Sequence, residues 1–312
     1  MKKTIPNKIS THGYYYVVIA AILWAISGSS SKYLFNSGIS PFQLVQLRIT
    51  ISAGFLFIVL FIWRRNLLRI ASKDLFYFLF LGAAAMALVQ FTYLYTISKI
   101  NVAAAILLQY LAPAFITLYL VIFEKEKLHK ATVIAVFGAI LGCYFVVGAY
   151  NLNLFALNKV GVLSGILSAV CYAWYSISGE YGMRKYAPLT VVFYSLFFAA
   201  ITWNILHPPF KALFHAYSPF QWGLIIYIGI FGTVIPFSLY LEGINLIRST
   251  RAAITGTLEP ITAAGISYLL LNETLDLLQI AGGILVLASI VLMQFKVQYD
   301  DKIPDLIRTK KK

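Results

Sequence analysis

Two ionisable side chains stand within long apolar stretches of this sequence, where an unpartnered charge is costly. Arg48 lies seven positions after Pro41, and Glu259 directly precedes Pro260. Ionisable residues inside membrane spans are rare and generally mark substrate or ion pathways. Arg48 is a candidate to bind a substrate carboxylate or shape a gate; alternatively, it reaches the interface or joins two helices. Glu259 is a candidate to pair with a substrate amine or take up a coupling proton; alternatively, it is a structural carboxylate bonded to a neighbouring helix.

Pro260 favours a functional role for Glu259. A proline inside a helix removes a backbone donor and frees carbonyl groups one turn earlier, where a ligand or a side chain can use them. Thr255, Glu259 and Thr262 also recur at helical spacing, which predicts a polar stripe that faces the protein interior.

Aromatic and amide side chains near the centres of the apolar runs are candidates to complete a pocket. Aromatic rings stack on flat ligands and attract cations, although most aromatic residues of a membrane protein face lipid or the interface. The candidates that share a central position are Trp24, Gln90, Tyr93, Gln109, Trp174, Tyr175 and Tyr240.

The sequence lacks the residue clusters that catalysis or metal binding requires. The four histidines lie near loops without ligand spacing, and the two cysteines lie inside apolar runs as inert thiols. An integral-membrane enzyme would need His, Asp or Cys clustered at one interface, and there is no ATP-binding motif. We therefore predict no catalytic residue, no metal and no cofactor.

The composition requires lipid as the surrounding solvent. The 312 residues are 60% hydrophobic and 12% charged, whereas a soluble domain is roughly half apolar and a quarter charged. The net charge of +14 is spread over short runs between apolar segments and forms no single basic face, which argues against nucleic acid as a partner. The expected partners are the bilayer, a small-molecule substrate and a coupling proton.

One stretch of the sequence occurs twice. Residues 93–128 and 240–275 align without a gap at an offset of 147 residues, and Pro113 and Pro260 form one of several identical pairs. Each copy contains the end of an apolar helix, a polar joint, a helix broken by proline, and a closing E-x-L. A duplication of this length in an apolar chain is typical of transporters built from two repeats.

Basic residues orient the predicted spans. With both termini in the cytoplasm, twenty of the 25 Lys and Arg residues fall in inner segments, four fall in outer segments, and Arg48 lies within a span. Five spans per half is an odd number, so the second half is expected to be inverted. The apolar runs of spanning length are 14–34, 42–62, 75–97, 101–122, 131–149, 160–180, 189–206, 221–246, 252–271 and 277–295.

These observations predict an all-α membrane protein whose ten transmembrane helices form two inverted five-helix repeats. Residues 13–149 are the first repeat, 160–295 the second, and 296–312 a basic cytoplasmic tail. The first apolar run lacks a clear cleavage site, so we expect it to be retained as a span. The predicted location is the cytoplasmic membrane, as a multi-pass monomer or homodimer with both termini inside.

The chain resembles the drug/metabolite transporter superfamily, specifically its EamA-type permeases. The second half departs from the pattern, because Ser195 stands at the position of Arg48 and no lysine corresponds to Lys32. The features that carry the resemblance are the 5+5 repeat, the Trp24/Ser27/Lys32 pattern, the S-P-x-x-L-x-x-x-R run from Ser40 to Arg48, the Ala104–Pro113 core and the paired E-x-L ends.

The resemblance implies a secondary transporter that moves small metabolites such as amino acids or related amines, often outward. Inverted halves that rock about a central cavity would do this by alternating access. We therefore expect export of an amino acid or related amine, driven by an ion gradient. The alternatives are an importer of a vitamin-like or nucleoside-like solute, a channel, and an integral-membrane enzyme.

Overall fold

The computed structural model describes residues 11–123, 130–146, 148, 150, 152–207, 212–256 and 258–296. The regular elements within these ranges are helices, as expected where lipid cannot satisfy backbone polar groups. The helices are α1 (Thr11–Asn36), α2 (Pro41–Trp63), α3 (Leu75–Phe80), α4 (Ala87–Lys99), α5 (Val102–Gln109), α6 (Ala112–Phe123), α7 (Lys130–Val146), α8 (Leu152–Met183), α9 (Pro188–Leu206), α10 (Pro219–Gly229), α11 (Ile235–Gly256), α12 (Leu258–Leu271) and α13 (Leu277–Lys296).

The helices fall into long and short apolar stretches. Six stretches are long and apolar enough to cross a membrane, and they are Thr11–Asn36, Pro41–Trp63, Ser72–Lys99, Lys159–Met183, Pro188–Leu206 and Pro219–Gly243. Four apolar helices are shorter, and they are Val102–Ile116, Val133–Val146, Leu258–Leu271 and Leu277–Leu292. The prediction of an all-helical membrane protein is therefore confirmed, while the number of crossings stays a prediction.

The polar joint of the second copy differs from the prediction. The sequence predicted a break between the runs 221–246 and 252–271, but α11 continues through Arg248 and Arg251 to Gly256. The joint contains neither glycine nor proline, so nothing in it ends a helix. The predicted boundary is therefore wrong, and the helix ends near the proline instead.

Both copies of the duplicated stretch contain a helix break at the same position. Helix α5 ends at Gln109 and α11 ends at Gly256, which are 147 residues apart. The helix that follows each break carries its proline near the start, at Pro113 in α6 and at Pro260 in α12. Proline is tolerated in the first turn of a helix because its missing N–H would be unsatisfied there anyway.

Two wide helical turns also occur at corresponding places. A π-helical turn at Leu81–Met86 joins α3 to α4, and another at Ile230–Val234 joins α10 to α11. Such turns are rare, and they occur frequently at functional sites. Each one lies beside a helix of the other half of the chain.

Two glycines at the π-helical turns, Gly82 within the first and Gly229 directly before the second, make matching contacts. A Cβ added to Gly82 would lie 2.7 Å from the carbonyl oxygen of Ser195, so no side chain fits there. A Cβ added to Gly229 would lie 3.5 Å from the carbonyl oxygen of Arg48. Gly229 follows Gly82 by 147 residues, and Ser195 follows Arg48 by the same number. Equivalent residues therefore make equivalent contacts between the halves.

The start of α2 is fixed by a capping box. The Gln43 backbone N–H donates to Ser40 Oγ at 3.2 Å, and the Ser40 backbone N–H donates to Gln43 Oε1 at 3.0 Å. Pro41 occupies the first helical position, where its fixed φ suits the helix. This start places Arg48 about two turns into α2, within the packed interior.

Helices of the two halves pack against each other in the centre of the molecule. Helix α1 packs against α11 and α12, α2 packs against α9 and α10, and α5 packs against α8 and α12. Side chains of both halves therefore meet in the same central region.

Candidate functional site

A cavity lies where these helices meet. Its volume of about 90 Å³ is several times what one water molecule needs. Its walls come from both halves of the chain and combine rings, amides and two ionisable groups. The lining residues are Trp24, Ser27, Arg48, Val89, Gln90, Tyr93, Gln109, Tyr110, Ala112, Tyr172, Phe237, Tyr240, Glu259 and Ile290.

Seven of the nine side chains singled out from the sequence line this cavity. They come from α1, α2, α4, α5, α11 and α12. Their shared location supports a common role, and binding itself stays a prediction. The seven are Trp24, Arg48, Gln90, Tyr93, Gln109, Tyr240 and Glu259.

The other two candidates lie outside the cavity wall. Trp174 is 41% exposed on α8. Tyr175 is buried and packs edge-on against Phe237, with ring centroids 6.4 Å apart. Phe237 does line the cavity, so Tyr175 packs against a lining residue without lining the cavity itself.

The repeat itself could have identified two lining residues that the sequence analysis missed. Phe237 follows Gln90 by 147 residues and occupies its position in the second copy. Tyr172 follows Trp24 by 148 residues, the offset that relates Gly13 to Gly161 at the starts of the two halves. Ser27 belongs to the Trp24/Ser27/Lys32 pattern and was not assigned to the site, whereas Tyr110 carries no such signal and emerges only from the packing.

Arg48 is 2% exposed and is fixed from one side by the π-helical turn of the second half. Its Nε donates to Thr233 Oγ1 at 2.6 Å, and its Nη2 donates to the Gly232 carbonyl at 3.0 Å. The Thr233 hydroxyl donates in turn to the Ile228 carbonyl at 2.9 Å. Within the part of the chain that the structure describes, Nη1 of Arg48 has no hydrogen-bond partner.

Glu259 is 6% exposed and lies in the first turn of α12. A carboxylate is favoured there because the positive end of the helix dipole lies at the N-terminus. The Tyr110 hydroxyl donates to the Gly256 carbonyl at 2.5 Å, and Glu259 Oε2 lies 3.2 Å from the same hydroxyl oxygen. Tyr110 lies in the break between α5 and α6, so its hydrogen bond to Gly256 connects the helix break of the first half to that of the second.

Arg48 and Glu259 line the same cavity without forming an ion pair with each other. Among the described residues, the ion pairs within 4 Å are Lys32 with Glu273 and Lys185 with Asp74. Burying an isolated charge is costly unless a partner compensates for it. The cavity therefore contains two ionisable groups of opposite type that do not compensate each other.

Aromatic rings form the wall next to these charges. Trp24 contacts Phe237 edge-on, with ring centroids 5.2 Å apart, and Tyr240 at 5.3 Å. Such a wall suits the apolar part of a small ligand and attracts a cationic group.

A second polar cluster lies at one end of the molecule, and we call it the Lys32 cluster. Lys32 Nζ donates to the carbonyls of Ile97 and Ile100 at 2.9 and 3.0 Å, at the joint between α4 and α5. Glu273 Oε2 accepts from the Val102 backbone N–H at 2.8 Å, and Glu273 Oε1 lies 3.6 Å from Lys32 Nζ. The E-x-L motif of the second copy thus holds the joint of the first. The matching Glu126 lies outside the described residues.

The fold and the cavity define a class, namely a multi-pass membrane protein with an internal cavity lined by helices of both halves. The particular family follows from comparison with known proteins. The chain belongs to the EamA-like transporter family, whose model matches residues 11–148 and again 159–295. The resemblance noted in the sequence is confirmed, and the chain is a drug/metabolite-type transporter of the inner membrane.

Individual relatives carry transporter names. The chain is 28% identical to the uncharacterized inner membrane transporter YicL of Salmonella typhimurium, over 89% of this chain and 93% of the relative. It is 23% identical to the threonine/homoserine exporter RhtA of Escherichia coli, over 93% and 94%. It is 26% identical to the pseudopaline exporter CntI of Pseudomonas aeruginosa, over 66% and 71%.

A solved crystal structure of a protein shares the fold. It superposes with a TM-score of 0.59 at 18% identity, covering 90% of this chain and 95% of the other. At this identity the likeness concerns the fold alone.

Proposed function

We propose that this protein is a secondary active exporter of a small metabolite that carries both an amine and a carboxylate, such as an amino acid. The observation that carries the proposal is the placement of Arg48 and Glu259 in one cavity without an ion pair between them. A zwitterion would neutralise both groups at once. Among the relatives, one is named a threonine/homoserine exporter and another a pseudopaline exporter.

The proposed architecture is ten transmembrane helices in two inverted repeats, residues 13–149 and 160–295, followed by a basic tail at 296–312. The matched helix breaks, the two π-helical turns and the equivalent contacts of Gly82 and Gly229 support it. The family model also matches the chain twice. The distribution of basic residues supports both termini in the cytoplasm.

The proposed mechanism is alternating access, in which the halves rock about the cavity. In this topology the Lys32 cluster lies at the outer end and holds that end closed. Glu259 pairs with the substrate amine when substrate is bound and takes up a proton from outside when substrate has left. Exchange of substrate for a proton would then drive export.

A counterflow experiment tests the proposal. Purified protein is reconstituted into vesicles that contain unlabelled L-threonine, and labelled L-threonine is added outside. A carrier accumulates the label transiently because the internal solute stimulates its entry, whereas a channel shows no such stimulation. We expect counterflow of L-threonine or of another common L-amino acid, and faster efflux when the outside is acidic. Absence of counterflow for all twenty would contradict the proposal.

A further inference from the structure

We infer that Ser27 and Arg48 form an anion subsite that binds the substrate carboxylate, and that Gly232 and Thr233 orient the arginine for this purpose. The inference rests on the proposed function, because it names the part of the substrate that one wall of the cavity binds. It assigns a ligand-binding role to Ser27 and a positioning role to Thr233.

Two buried donors without partners among the described residues line the cavity. Ser27 and Arg48 are each 2% exposed, and both line the cavity. Ser27 Oγ and Arg48 Nη1 have no hydrogen-bond partner within the described ranges. Buried polar atoms are nearly always hydrogen-bonded, so an unsatisfied one calls for a ligand or water. Two such atoms on one cavity wall indicate a site for an acceptor.

Both donors lie against the same residue of the π-helical turn. A Cβ added to Gly232 would lie 2.2 Å from Ser27 Oγ, so the serine packs directly on the glycine backbone. Arg48 Nη2 donates to the carbonyl of the same glycine at 3.0 Å. Ser27 on α1 and the Arg48 guanidinium on α2 therefore both contact Gly232, and both helices pack against this turn. The proposed carboxylate accepts from both side chains. Hydrogen bonds between an arginine and a carboxylate are among the strong ones in proteins.

Thr233 determines which nitrogen of the arginine remains available. Its hydroxyl hydrogen is directed to the Ile228 carbonyl, five residues earlier, so its lone pairs face Arg48 Nε at 2.6 Å. In an α-helix, a threonine hydroxyl usually reaches the carbonyl of the residue four positions earlier. In the wider π-helical turn, the Thr233 hydroxyl reaches the carbonyl five positions earlier. With Nε and Nη2 anchored to the turn, Nη1 is left for the ligand.

The subsite also orients the substrate. Arg48 and Ser27 belong to α2 and α1, whereas Glu259 begins α12 in the other half. A substrate whose carboxylate binds at Ser27 and Arg48 directs its amine towards Glu259. The aromatic wall of Trp24 and Tyr240 then faces the apolar side chain.

The test uses the twenty common L-amino acids and their carboxamides, which keep the amine and lose the carboxylate charge. Counterflow is measured for the wild-type protein and for Ser27→Ala, Thr233→Val and Thr233→Ser. We expect the wild type to prefer the transported acid over its amide. Ser27→Ala and Thr233→Val should lower that preference about tenfold, because a hydrogen bond to a charged carboxylate is stronger than one to a neutral amide and the acid therefore loses more. Thr233→Ser keeps the hydroxyl and should retain the preference.

Thermal stability separates a binding role from a structural one. Ser27 Oγ has no partner to lose among the described residues, so Ser27→Ala should not lower the melting temperature. An unchanged acid-to-amide preference in both Ser27→Ala and Thr233→Val would overturn the inference and leave amino acid transport standing. A wild-type protein that prefers the amides over the acids would also overturn the inference. A wild type that moves neither acids nor amides would overturn the proposed function together with the inference.

Discussion

The two halves of the molecule share their backbone features and differ in their polar side chains. Helix breaks and glycine contacts recur at an offset of 147 residues, and the two π-helical turns lie within two residues of that offset. Arg48, by contrast, corresponds to Ser195, and Glu259 corresponds to Ala112. The duplication therefore accounts for the fold, while each charge of the cavity is present once.

The π-helical turns illustrate this difference at atomic detail. Thr233 holds Arg48 through its hydroxyl, whereas the equivalent position in the first half is Met86, which cannot orient an arginine. The Ser195 hydroxyl donates to the Val192 carbonyl of its own helix at 2.9 Å, and Ser195 does not line the cavity. The same wide turn thus serves packing in one half and positions a charge in the other.

The largest expected effect comes from removing the charge of the second half. Glu259→Gln keeps the size of the side chain, but a neutral amide can neither pair with an amine nor take up a proton. We expect proton-driven exchange of the transported amino acid to fall about 30-fold to several thousandfold, since losing one partner of a buried charge pair costs about 2–5 kcal/mol. Initial rates in vesicles with and without a pH gradient provide the measurement.

Glu242→Gln is the matched control, because it makes the same chemical change on an exposed side chain of α11. It should keep exchange within about twofold of the wild type, since exposed charges away from a site contribute little. Equal losses in the two variants would show that removing any carboxylate lowers exchange and that Glu259 has no special role.

The next effect comes from the repeat pair Arg48 and Ser195. Arg48→Gln should lower the apparent affinity for the transported amino acid about 30-fold or more and affect its carboxamide much less, because the carboxylate loses its charged partner. Ser195→Ala removes a hydroxyl that lies outside the cavity lining and should change affinity less than about twofold. Competition with labelled substrate measures both variants. A comparable loss for acid and amide in Arg48→Gln would indicate a structural arginine.

An intermediate effect distinguishes the two ends of the molecule. Lys32→Met removes the ion pair with Glu273 and should open the end that we assign to the outside. In a background without the native cysteines, a cysteine at Gln109 should react several-fold faster with an impermeant maleimide added outside. Lys185→Met removes the ion pair with Asp74 and should leave that rate unchanged. Acceleration by Lys185→Met alone would reverse the proposed orientation.

The smallest effect concerns the cap of α13, beside the Lys32 cluster. Asp276 Oδ2 accepts from the Tyr150 hydroxyl and Oδ1 accepts from the Gln279 backbone N–H at 2.8 Å. These bonds, that of Tyr150 first, hold the pKa of Asp276 below its ordinary value. A lowered pKa adds stability above the ordinary aspartate pKa of about 3.9, and that stability is lost as the pH falls below it.

Asp276→Ala should accordingly lower the melting temperature by a few degrees at pH 7, as loss of a helix cap costs roughly 1 kcal/mol. The difference from the wild type should shrink below about pH 4, as Asp276 itself becomes protonated. Asp276→Asn retains the capping ability and serves as the control. A difference that persists unchanged into acid would show that the ionised carboxylate contributes nothing.

The sequence predicted the helical membrane fold and half of the residues that line the cavity, because ionisable residues in apolar runs and a duplicated proline-broken segment are visible without coordinates. The prediction failed for residues whose location depends on which face of a helix they occupy. Trp174 is 41% exposed and Tyr172, two positions earlier, lines the cavity. A helix that is apolar all round gives no amphipathic signal to distinguish its lipid face from its interior face. The π-helical turns likewise have no local sequence signal, so the anchoring of Arg48 by Thr233 emerged only from the structure.

A structure of the protein with its transported amino acid bound tests the central claim most directly. The account predicts the carboxylate within about 2.7–3.0 Å of Arg48 Nη1, with Ser27 Oγ donating to the same carboxylate and the amine directed to Glu259. A ligand bound outside this cavity, or bound with its amine against Arg48, would contradict it.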